Sequence, residues 1–304
     1  MSCHNHRIIA FIFSLIISGL LLVPPATAAR TTFAFAPAIG TTCTEALAKT
    51  VTVAGSSEKS IITSTATSTL QVKRDGNRIR YTETMGTISQ TRDGKPATDI
   101  MSSIMDGLQI TTLVNDHGDV IGLEGDNKIR ERINAQAPKA SREELLQATS
   151  HEKFLTDETR DWQEHVGRFV GRSATTGSCW IDITDIPLVN GTIAPVYRIT
   201  QVSGLVNING HDTLKISTHC NTNLDALARV TGVSVRDLTA NLSRKLPSQQ
   251  GYMVTAASEL FVDPATLTHY KETSTVQTIL YLHAQDGSPK PIEIREQQQT
   301  SWTY

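Results

Sequence analysis

The sequence predicts a mainly β protein of the α+β class, in which an antiparallel sheet carries two helical insertions. Two observations favour the sheet. Runs rich in Thr, Val and Ile alternate apolar with polar residues, and Asn-Gly or Asp-Gly pairs recur between these runs. Alternation with a period of two is typical of half-buried strands, and such pairs favour the tight turns of β-hairpins. We expect either one curved half-barrel or two stacked units of sheet and helix.

The first 29 residues have the composition of a secretory signal peptide. Arg7 precedes an uncharged apolar run, Ile8 to Val23, and prolines and small residues follow as far as Ala28 and Ala29. The run is shorter than the roughly 20 residues that a membrane-spanning helix needs. We therefore predict cleavage near Ala28 or Ala29 and an exported protein, in the periplasm or outside the cell. No later segment is apolar enough to predict a transmembrane helix.

The charge of the mature chain argues against some partners. Removal of residues 1–29 takes away one Arg and no acidic residue, so 27 basic and 30 acidic residues leave a net charge of −3. A weakly acidic chain without a basic block is a poor candidate for binding nucleic acid. We expect no nucleic-acid partner.

Residues 30–135 are predicted to form an N-terminal antiparallel β region. The stretch from Ser60 to Arg74 alternates most regularly, with apolar residues on one face and threonines on the other. The two faces hold Ile62, Ala66, Leu70 and Val72, and Thr63, Thr65, Thr67 and Thr69.

Residues 136–170 are predicted to be a helical segment, because the chain there is charged and lacks alternation. Ser141 and Glu144 have the spacing of a capping box, in which each side chain bonds an unpaired N–H at the start of a helix. The pairs His151-Glu152 and Glu164-His165 flank this segment, and we interpret them as solvated faces.

Residues 171–304 are predicted to form a C-terminal β region with a helical insertion at 222–247. Two hairpins turn at Asn190-Gly191 and at Asn209-Gly210. Two-residue turns at these positions would pair Cys179 with Val202, and Val202 with Ser217.

Three cysteines remain after cleavage: Cys43, Cys179 and Cys220. An oxidising compartment favours one disulfide with one thiol left over. In the predicted register Cys220 lies two strands and three residues away from Cys179, or roughly 10 Å, beyond the roughly 7 Å between Cα atoms that a disulfide allows. A regular sheet thus disfavours that bridge, whereas a bulge would remove the objection. A bridge from Cys43 to either of the others stays open.

The insertion contains apolar residues at helical spacing from Leu224 to Leu246, with Gly232 between two predicted helices. We interpret it as two helices that cover a face or an edge of the sheet. The stretch from Ile216 to Val254 also resembles a LysM module, a small β-α-α-β domain that binds glycans containing N-acetylglucosamine. That resemblance implies a cell-wall glycan partner, and its candidate glycan-binding residues are Asn221, Thr222, Leu224, Gly232 and Asn241. Asn221 to Leu224 depart from the usual Gly-Asp-Thr-Leu opening, and Asn241 falls one residue early.

A broader resemblance covers the mature chain. The stretches FAFAPAIGTT, DHGDVIGLEG, TTGSCWIDI and LFVDPATLTHY occur in the order found in an uncharacterised family of exported bacterial β-rich proteins. Some members of that family resemble the lipoprotein-carrier half-barrel, a curved antiparallel sheet whose concave side is closed by helices. The resemblance implies a lipid or another amphiphile as the ligand and assigns no catalytic residues.

No arrangement of residues in the sequence predicts an enzyme. The chain lacks the G-x-S-x-G elbow, a phosphate-binding glycine loop, and the H-E-x-x-H and C-x-x-C patterns of zinc sites. Asp182 and Asp185 lie beside Trp180 on a predicted strand. We interpret Trp180 as a packing residue of the core or its rim. We expect no catalytic residues, no cofactor and no metal. The predicted function is non-catalytic binding or carrying of a hydrophobic or amphiphilic ligand in the cell envelope; the alternatives are glycan binding and a structural role.

Overall fold

The structure is a computed structural model that describes residues 30–55, 59–97, 99–188, 193–236, 242, 246, 251–283 and 289–304. The predicted cleavage site at Ala28 and Ala29 and the glycan-binding candidate Asn241 lie outside these residues. Within the described ranges, no helix combines the length and the apolar character needed to cross a membrane.

The described chain is mainly antiparallel β-structure, as the sequence predicts. In chain order its strands are β1 (Thr31–Thr32), β2 (Thr42–Ala54), β3 (Lys59–Asp75), β4 (Arg78–Arg92), β5 (Lys95–Ala97), β6 (Gln109–Asn115), β7 (Val120–Glu124), β8 (Ser173–Ala174), β9 (Cys179–Pro187), β10 (Ile193–Ile208), β11 (His211–Asn221), β12 (Tyr252–Val262), β13 (His269–His283) and β14 (Pro289–Thr303). The helices are α1 (Ile100–Met105), α2 (Asp126–Gln136), α3 (Lys139–Ala148), α4 (His151–Trp162) and α5 (Leu224–Thr231), and the π-helical turn Gln163–Gly167 continues α4.

Twelve of the described strands form one sheet that is not closed into a barrel. Its order is β7-β6-β4-β3-β2-β14-β13-β12-β11-β10-β9, with β5 paired to β4 beside this path, while β1 and β8 pair separately. The outermost strands of two meanders, β2 and β14, pair at the centre, from Thr44 opposite Thr303 to Ala54 opposite Glu293. Because of this pairing, the meanders form one continuous sheet rather than two stacked units.

The sheet curves strongly. Glu158 bonds to β6 and Glu164 to β9, although nine strand spacings separate these strands in the sheet. Nine spacings of about 4.8 Å would span roughly 43 Å in a flat sheet. The six helical steps from Glu158 to Glu164 rise only about 9 Å. The two edge regions therefore bend towards each other, as the predicted half-barrel requires.

Alternation sorts the side chains of each strand between two faces. On β3 the threonines at 63, 65, 67 and 69 lie on one face and are exposed. Ser68 and Val72 lie on the other face and are buried. We call the face that carries Val72 the inner face, because the helices α1 to α4 pack on it. At the β4–β6–β7 end, this packing buries a cluster that contains Ile104, Leu108, Ile110, Leu123, Ile129 and Ile133.

The hairpin at Asn209-Gly210 is confirmed, since both residues have positive φ, at 53° and 89°. The residues of the other predicted turn, Asn190-Gly191, lie outside the described chain. The predicted register is wrong: Cys179 pairs with Gln201 instead of Val202, and Val202 pairs with Ile216 instead of Ser217. The second error arises from a bulge at Gly204, which adds one residue to β10 between Val202 and the turn.

The helices differ from the prediction in their positions. Helix α1 and most of α2 lie within the region predicted to be β, residues 30–135. Helix α3 begins behind Pro138, so Ser141 lies inside its first turn and bonds the Pro138 carbonyl at 3.4 Å. The capping-box prediction is therefore wrong. The sequence pattern correctly predicts a helix here, but Pro138 places the start of the helix earlier than the capping box does.

Gly125, between β7 and α2, has a φ of 92°, and a Cβ at this position would collide with the backbone carbonyl of Gln109. We expect Gly125→Ala to lower the free energy of unfolding by about 2 kcal/mol or more, because a positive φ alone strains most residues by about 1–3 kcal/mol. Thermal denaturation followed by circular dichroism measures this. Gly251→Ala is the matched control, since a Cβ there meets no atom within 4 Å. Equal melting temperatures for the two variants would contradict the expectation.

Candidate functional site

Helix α4 and the π-helical turn cross the inner face of the curved sheet. Thr112 of β6 donates its hydroxyl to Glu158 at 2.6 Å, and Thr184 of β9 donates to Glu164 at 3.0 Å. Between these contacts Trp162 packs edge-on against Tyr81 of β4, with 4.9 Å between ring centroids. The helix thus connects the two edge regions and covers the space above the central strands.

The π-helical turn directs two consecutive side chains to different strands. Glu164 reaches β9 and β10, while His165 contacts β13 through Glu272, with 3.2 Å between Nε2 and the carboxylate. Nδ1 of His165 lies 2.8 Å from the carbonyl oxygen of Asp161. A turn with an additional residue inside a helix is frequent at functional sites, because it redirects side chains that a regular helix would place elsewhere.

Two neighbouring histidines, one in this turn and one on β13, differ in charge: one ring is protonated and the other is neutral. Burial lowers the pKa of His165, but the hydrogen bond and the charge of Glu272 outweigh burial and raise it to about 9. The pKa of His269 falls to about 4, because this ring is buried and faces the positive charge of His165. At neutral pH, His165 is therefore an imidazolium and His269 is neutral.

Arg198 of β10 fixes the end of the helix. Its guanidinium donates twice to Asp182, at 2.6 and 2.7 Å, and its remaining arm bonds Glu164. Burial lowers the pKa of Arg198, but the hydrogen bonds and charges of Asp182 and Glu164 outweigh it and raise the pKa overall. This bidentate geometry is the strongest form of arginine–carboxylate contact.

Arg168, one turn after Glu164, is less completely paired. Its Nη2 donates to Thr218 at 3.3 Å, and its Nη1 lies 3.6 Å from the Glu164 carboxylate. Nε and Nη1 are buried and have no hydrogen-bond acceptor among the described residues. Burial, followed by the charge of Arg198, lowers the pKa of Arg168 to about 10. The guanidinium stays protonated at neutral pH, although its Nε and Nη1 donors have no hydrogen-bond acceptor.

A cavity of about 190 Å³ lies on one side of His165. Its walls combine aromatic side chains with aliphatic and threonine ones, and two acidic side chains of α4 face it, so we call it the acidic cavity. The aromatic rings and acidic groups that line it are Phe35, Tyr81, Trp162, Trp302, Tyr304, Glu158 and Asp161. Phe35 and Trp162 meet edge-on, with centroids 6.0 Å apart.

Two carboxyl groups, Glu158 and Asp161, line the acidic cavity, and two more, Glu45 and Glu83, lie close enough to interact with them electrostatically. Glu45 accepts a hydrogen bond from the indole of Trp302 at 3.1 Å, and burial together with the charge of Glu83 raises its pKa to about 7. Burial also raises the pKa of Glu83 and of Glu158, and the charge of Asp161 adds to both shifts. No Arg or Lys is among the described residues that line this cavity. The carboxyl groups are thus short of positive charge.

A second cavity, of about 250 Å³, lies on the other side of His165. We call it the arginine cavity. Its helical side presents Arg160, Asp161, Glu164, His165 and Arg168, and its floor on the sheet includes Cys220, Ala256, Leu260 and Val276. The sheet also contributes the charged groups of Arg198 and Glu272, so charged side chains come from both the helix and the sheet, and the apolar or small ones form part of the floor.

The floor of the arginine cavity continues into an apolar cluster on the inner face. Cys220, Ala256 and Val276 belong to both. The cluster extends over β9 to β14 and β2, and it also contains Leu188, Ala194, Val196, Val254, Leu280 and Ile294, with Val51, Val53 and Ile292 packed against them. The central residues of this cluster are buried, and partly buried apolar residues such as Ile186 and Ile292 border it.

Comparison with known proteins does not assign the chain to a family. No protein-family model and no curated protein matches it. A structure of lipovitellin, described by its lipid–protein interactions, is similar with a TM-score of 0.49 and 7% identity over 88% of this chain. The chain spans 25% of the length of that structure. OccK5 (OpdH) of Pseudomonas aeruginosa and the β domain of the Bordetella autotransporter BrkA have TM-scores of 0.28 and 0.21, with 6% and 9% identity over 89% and 86% of this chain and 100% and 98% of their own lengths.

The disulfide candidates are all free thiols in the structure. Cys43 lies on β2, Cys179 on the edge strand β9 and Cys220 on β11. Cys220 pairs with Arg198, and Cys179 pairs with Gln201, so two strands and three residues still separate the sulfurs. The expected disulfide is therefore absent among the described residues, and the strand positions explain why Cys179 and Cys220 do not meet.

The glycan-binding candidates have structural contacts. Asn221 is buried and donates to Thr255 at 3.1 Å, and Thr222 accepts from the backbone of Val254 at 3.4 Å. Leu224 packs against the outer face of the sheet, which is opposite the inner face, and Gly232 ends α5 with a φ of 70°. The helix covers Tyr197 and Ile199 of the large sheet, as the structural interpretation of this segment predicts. Glycan binding stays a prediction without support from these contacts.

The residue patterns of the sequence did not predict which side chains line the cavities. Glu164 and His165 lie against the sheet instead of on a solvated face, whereas His151 is exposed and bonds Asp126 at 2.8 Å. Trp180 packs against the inner-face core, as predicted. The described residues contain no cluster of three His, Cys, Asp or Glu side chains placed to hold a metal ion. A search for acidic or basic residues at inward strand positions would have found Glu45, Glu83 and Arg198.

Stability should fall as pH rises above neutrality. The pKa of His165 is about 9 in the folded chain against an ordinary 6.5, so its pair with Glu272 stabilises fully below pH 6.5 and is lost through pH 9. We expect a loss of about 1 kcal/mol or more between pH 7 and 9, reduced by solvent screening because the side chain is 34% exposed. Urea unfolding measures it.

The variant His165→Gln should flatten this pH dependence, because glutamine cannot carry the charge. His151→Gln, at the exposed histidine, is the matched control and should retain the fall. A pH profile of His165→Gln that coincides with that of the unsubstituted protein would show that another group causes the dependence.

Proposed function

We propose that the protein binds an amphiphilic molecule between helix α4 and the inner face of the sheet. The observation that carries the proposal is the mixed lining of the arginine cavity, where charged groups of the helix and of the sheet, Arg198 and Glu272 among them, border an apolar part of the floor. Charged groups of the helix, Glu164 and Arg168 among them, face apolar and small side chains of the sheet, such as Ala256 and Val276. A purely polar ligand would leave the apolar side unused, and a purely apolar ligand would bury the charges without partners.

The apolar part of the ligand would lie along the apolar cluster. The accessible part of this cluster begins at the floor of the cavity with Ala256 and Val276 and includes the partly buried Ile292. Each CH₂ group of an acyl chain that leaves water for such a surface contributes about 0.8 kcal/mol. The cluster therefore supplies affinity, and the cavity supplies orientation.

The polar head would contact Arg168. Two buried N–H donors of this guanidinium have no acceptor among the described residues, and a buried donor without an acceptor costs about 1–3 kcal/mol. A head group with acceptor oxygens, such as a carboxylate or a phosphate, would satisfy them, because a guanidinium binds such groups in bidentate geometry. This supports an amphiphile with an oxygen-rich head.

The proposed setting is the cell envelope. It rests on the signal-peptide pattern of residues 1–29, which lie outside the described chain. An exported protein with an amphiphile site could hold a lipid in place or carry it between membranes, and both roles require the same binding step. Titration with a fluorescent fatty acid measures this binding step.

The dansylated fatty acid 11-(dansylamino)undecanoic acid is a suitable probe. We expect a saturable rise and a blue shift of its fluorescence when it is titrated into the mature protein. Ala256→Trp fills the floor of the arginine cavity and should weaken binding by about tenfold or more, which corresponds to about 1.4 kcal/mol. Met253→Trp is the matched control, because Met253 lies on the opposite, exposed face of the same strand.

Two results would overturn the proposal. One is the absence of saturable binding by the probe together with a bare protein mass when the protein from its own host is examined by native mass spectrometry. The other is equal weakening by Ala256→Trp and Met253→Trp, which would place the probe away from the inner face.

A further inference from the structure

We propose that the acidic cavity is a separate binding site for a small organic cation, an alkylated or quaternary ammonium group. This inference does not depend on the amphiphile site. It rests on two independent features of the same cavity, its aromatic walls and the uncompensated negative charge around it.

The aromatic walls suit a cation without N–H groups. Tyr81 and Trp162 pack edge-on at 4.9 Å, and Phe35 approaches the same indole at 6.0 Å. Trp302 and Tyr304 line the other side of the cavity. The faces of aromatic rings attract cations, and grouped rings of this kind recognise quaternary ammonium ions. An inorganic cation would need oxygen ligands in a regular shell instead.

The negative charge around the cavity exceeds the positive charge. Glu158 and Asp161 line it, and the charge of Glu83 raises the pKa of Glu45 nearby. The cationic group in the lining is His165, which is already bound to Glu272 and to a backbone carbonyl. A bound cation would supply the charge that these carboxyl groups lack.

The size of the cavity limits the ligand. Cavities for drug-sized molecules run to about 300–1,000 Å³, whereas this one has about 190 Å³. That volume suits tetramethylammonium or the head of choline. The cation could be free or could belong to a larger molecule, and the experiment separates these cases by comparing tetramethylammonium with a choline-headed lipid.

Cation binding should release protons. Glu45 faces Glu83 from β4, Trp302 from β14, and Asp161 and His165 from the helix. Its pKa is about 7, so about half of the molecules carry the neutral acid at pH 7. A nearby positive charge favours the carboxylate and expels this proton. A cation that binds elsewhere would release none from Glu45.

The test is isothermal titration calorimetry of the mature chain with tetramethylammonium chloride at pH 7. Two buffers of different ionisation enthalpy report the number of protons released, and sodium chloride at equal ionic strength is the salt control. We expect saturable binding that sodium does not reproduce, with release of a fraction of a proton. A choline-headed lipid that displaces tetramethylammonium would show that the cation belongs to a larger molecule. A lipid that binds while tetramethylammonium does not would bind through its chains and would overturn the cation site.

Substitutions locate the site. Glu45→Gln keeps an acceptor for Trp302, and we expect it to abolish proton release and to weaken binding at pH 8 by about tenfold, or about 1.4 kcal/mol. Glu259→Gln, at an exposed carboxylate paired with Lys215 on the outer face, is the matched control and should change neither. Trp162→Leu should weaken binding at every pH.

The outcomes separate the two proposals. Ala256→Trp lies in the arginine cavity and should leave tetramethylammonium binding intact, even if the dansylated fatty acid no longer binds. Heats equal to those of sodium chloride, or proton release that persists in Glu45→Gln, would overturn the cation site without affecting the amphiphile site.

Discussion

The pairing of β2 with β14 is the constraint on which the inner face depends. It joins the first long strand to the last one, and the indole of Trp302 thereby reaches Glu45 across 257 positions of sequence. Without this pairing each meander would have another open edge, and the acidic cavity would lose the wall that Trp302 and Tyr304 provide. Such distant contacts form late and slowly, because a long loop must close first. The site is therefore a product of the completed sheet.

Helix α4 depends on the curvature of this sheet, and apolar contacts of Phe154, Leu155 and Trp162 hold it together with polar ones. None of its residues is fully buried, yet Glu158, Glu164 and His165 bond to three different strands. Buried ion pairs add little net stability, because desolvation offsets their attraction. They do fix one position, since displacement of the helix would leave the buried guanidinium of Arg198 without its contact to Glu164. This attachment leaves cavities where an apolar helix would fill the space.

The two cavities meet at His165, and they differ in which charged groups lack a partner. On one side carboxyl groups lack positive partners; on the other Arg168 lacks acceptors. The imidazolium of His165 and the neutral ring of His269 lie between them, because two adjacent buried rings do not both carry charge. A molecule that enters either cavity changes the field on this histidine. The charge of His165 is thus the physical link between the proposed sites.

The sequence by itself determined the class of the fold and its local devices. The alternation of β3, with exposed threonines on one face, and the Asn209-Gly210 turn follow from side-chain direction and backbone sterics, which act between near neighbours. Only the tertiary structure decided the site. One inserted residue at Gly204 changed the register of β10 against β11, and the partners of His165 and Arg168, Glu272 and Thr218, lie 107 and 50 positions along the chain. Which charges meet depends on strand order and curvature, and no short-range pattern carries that information.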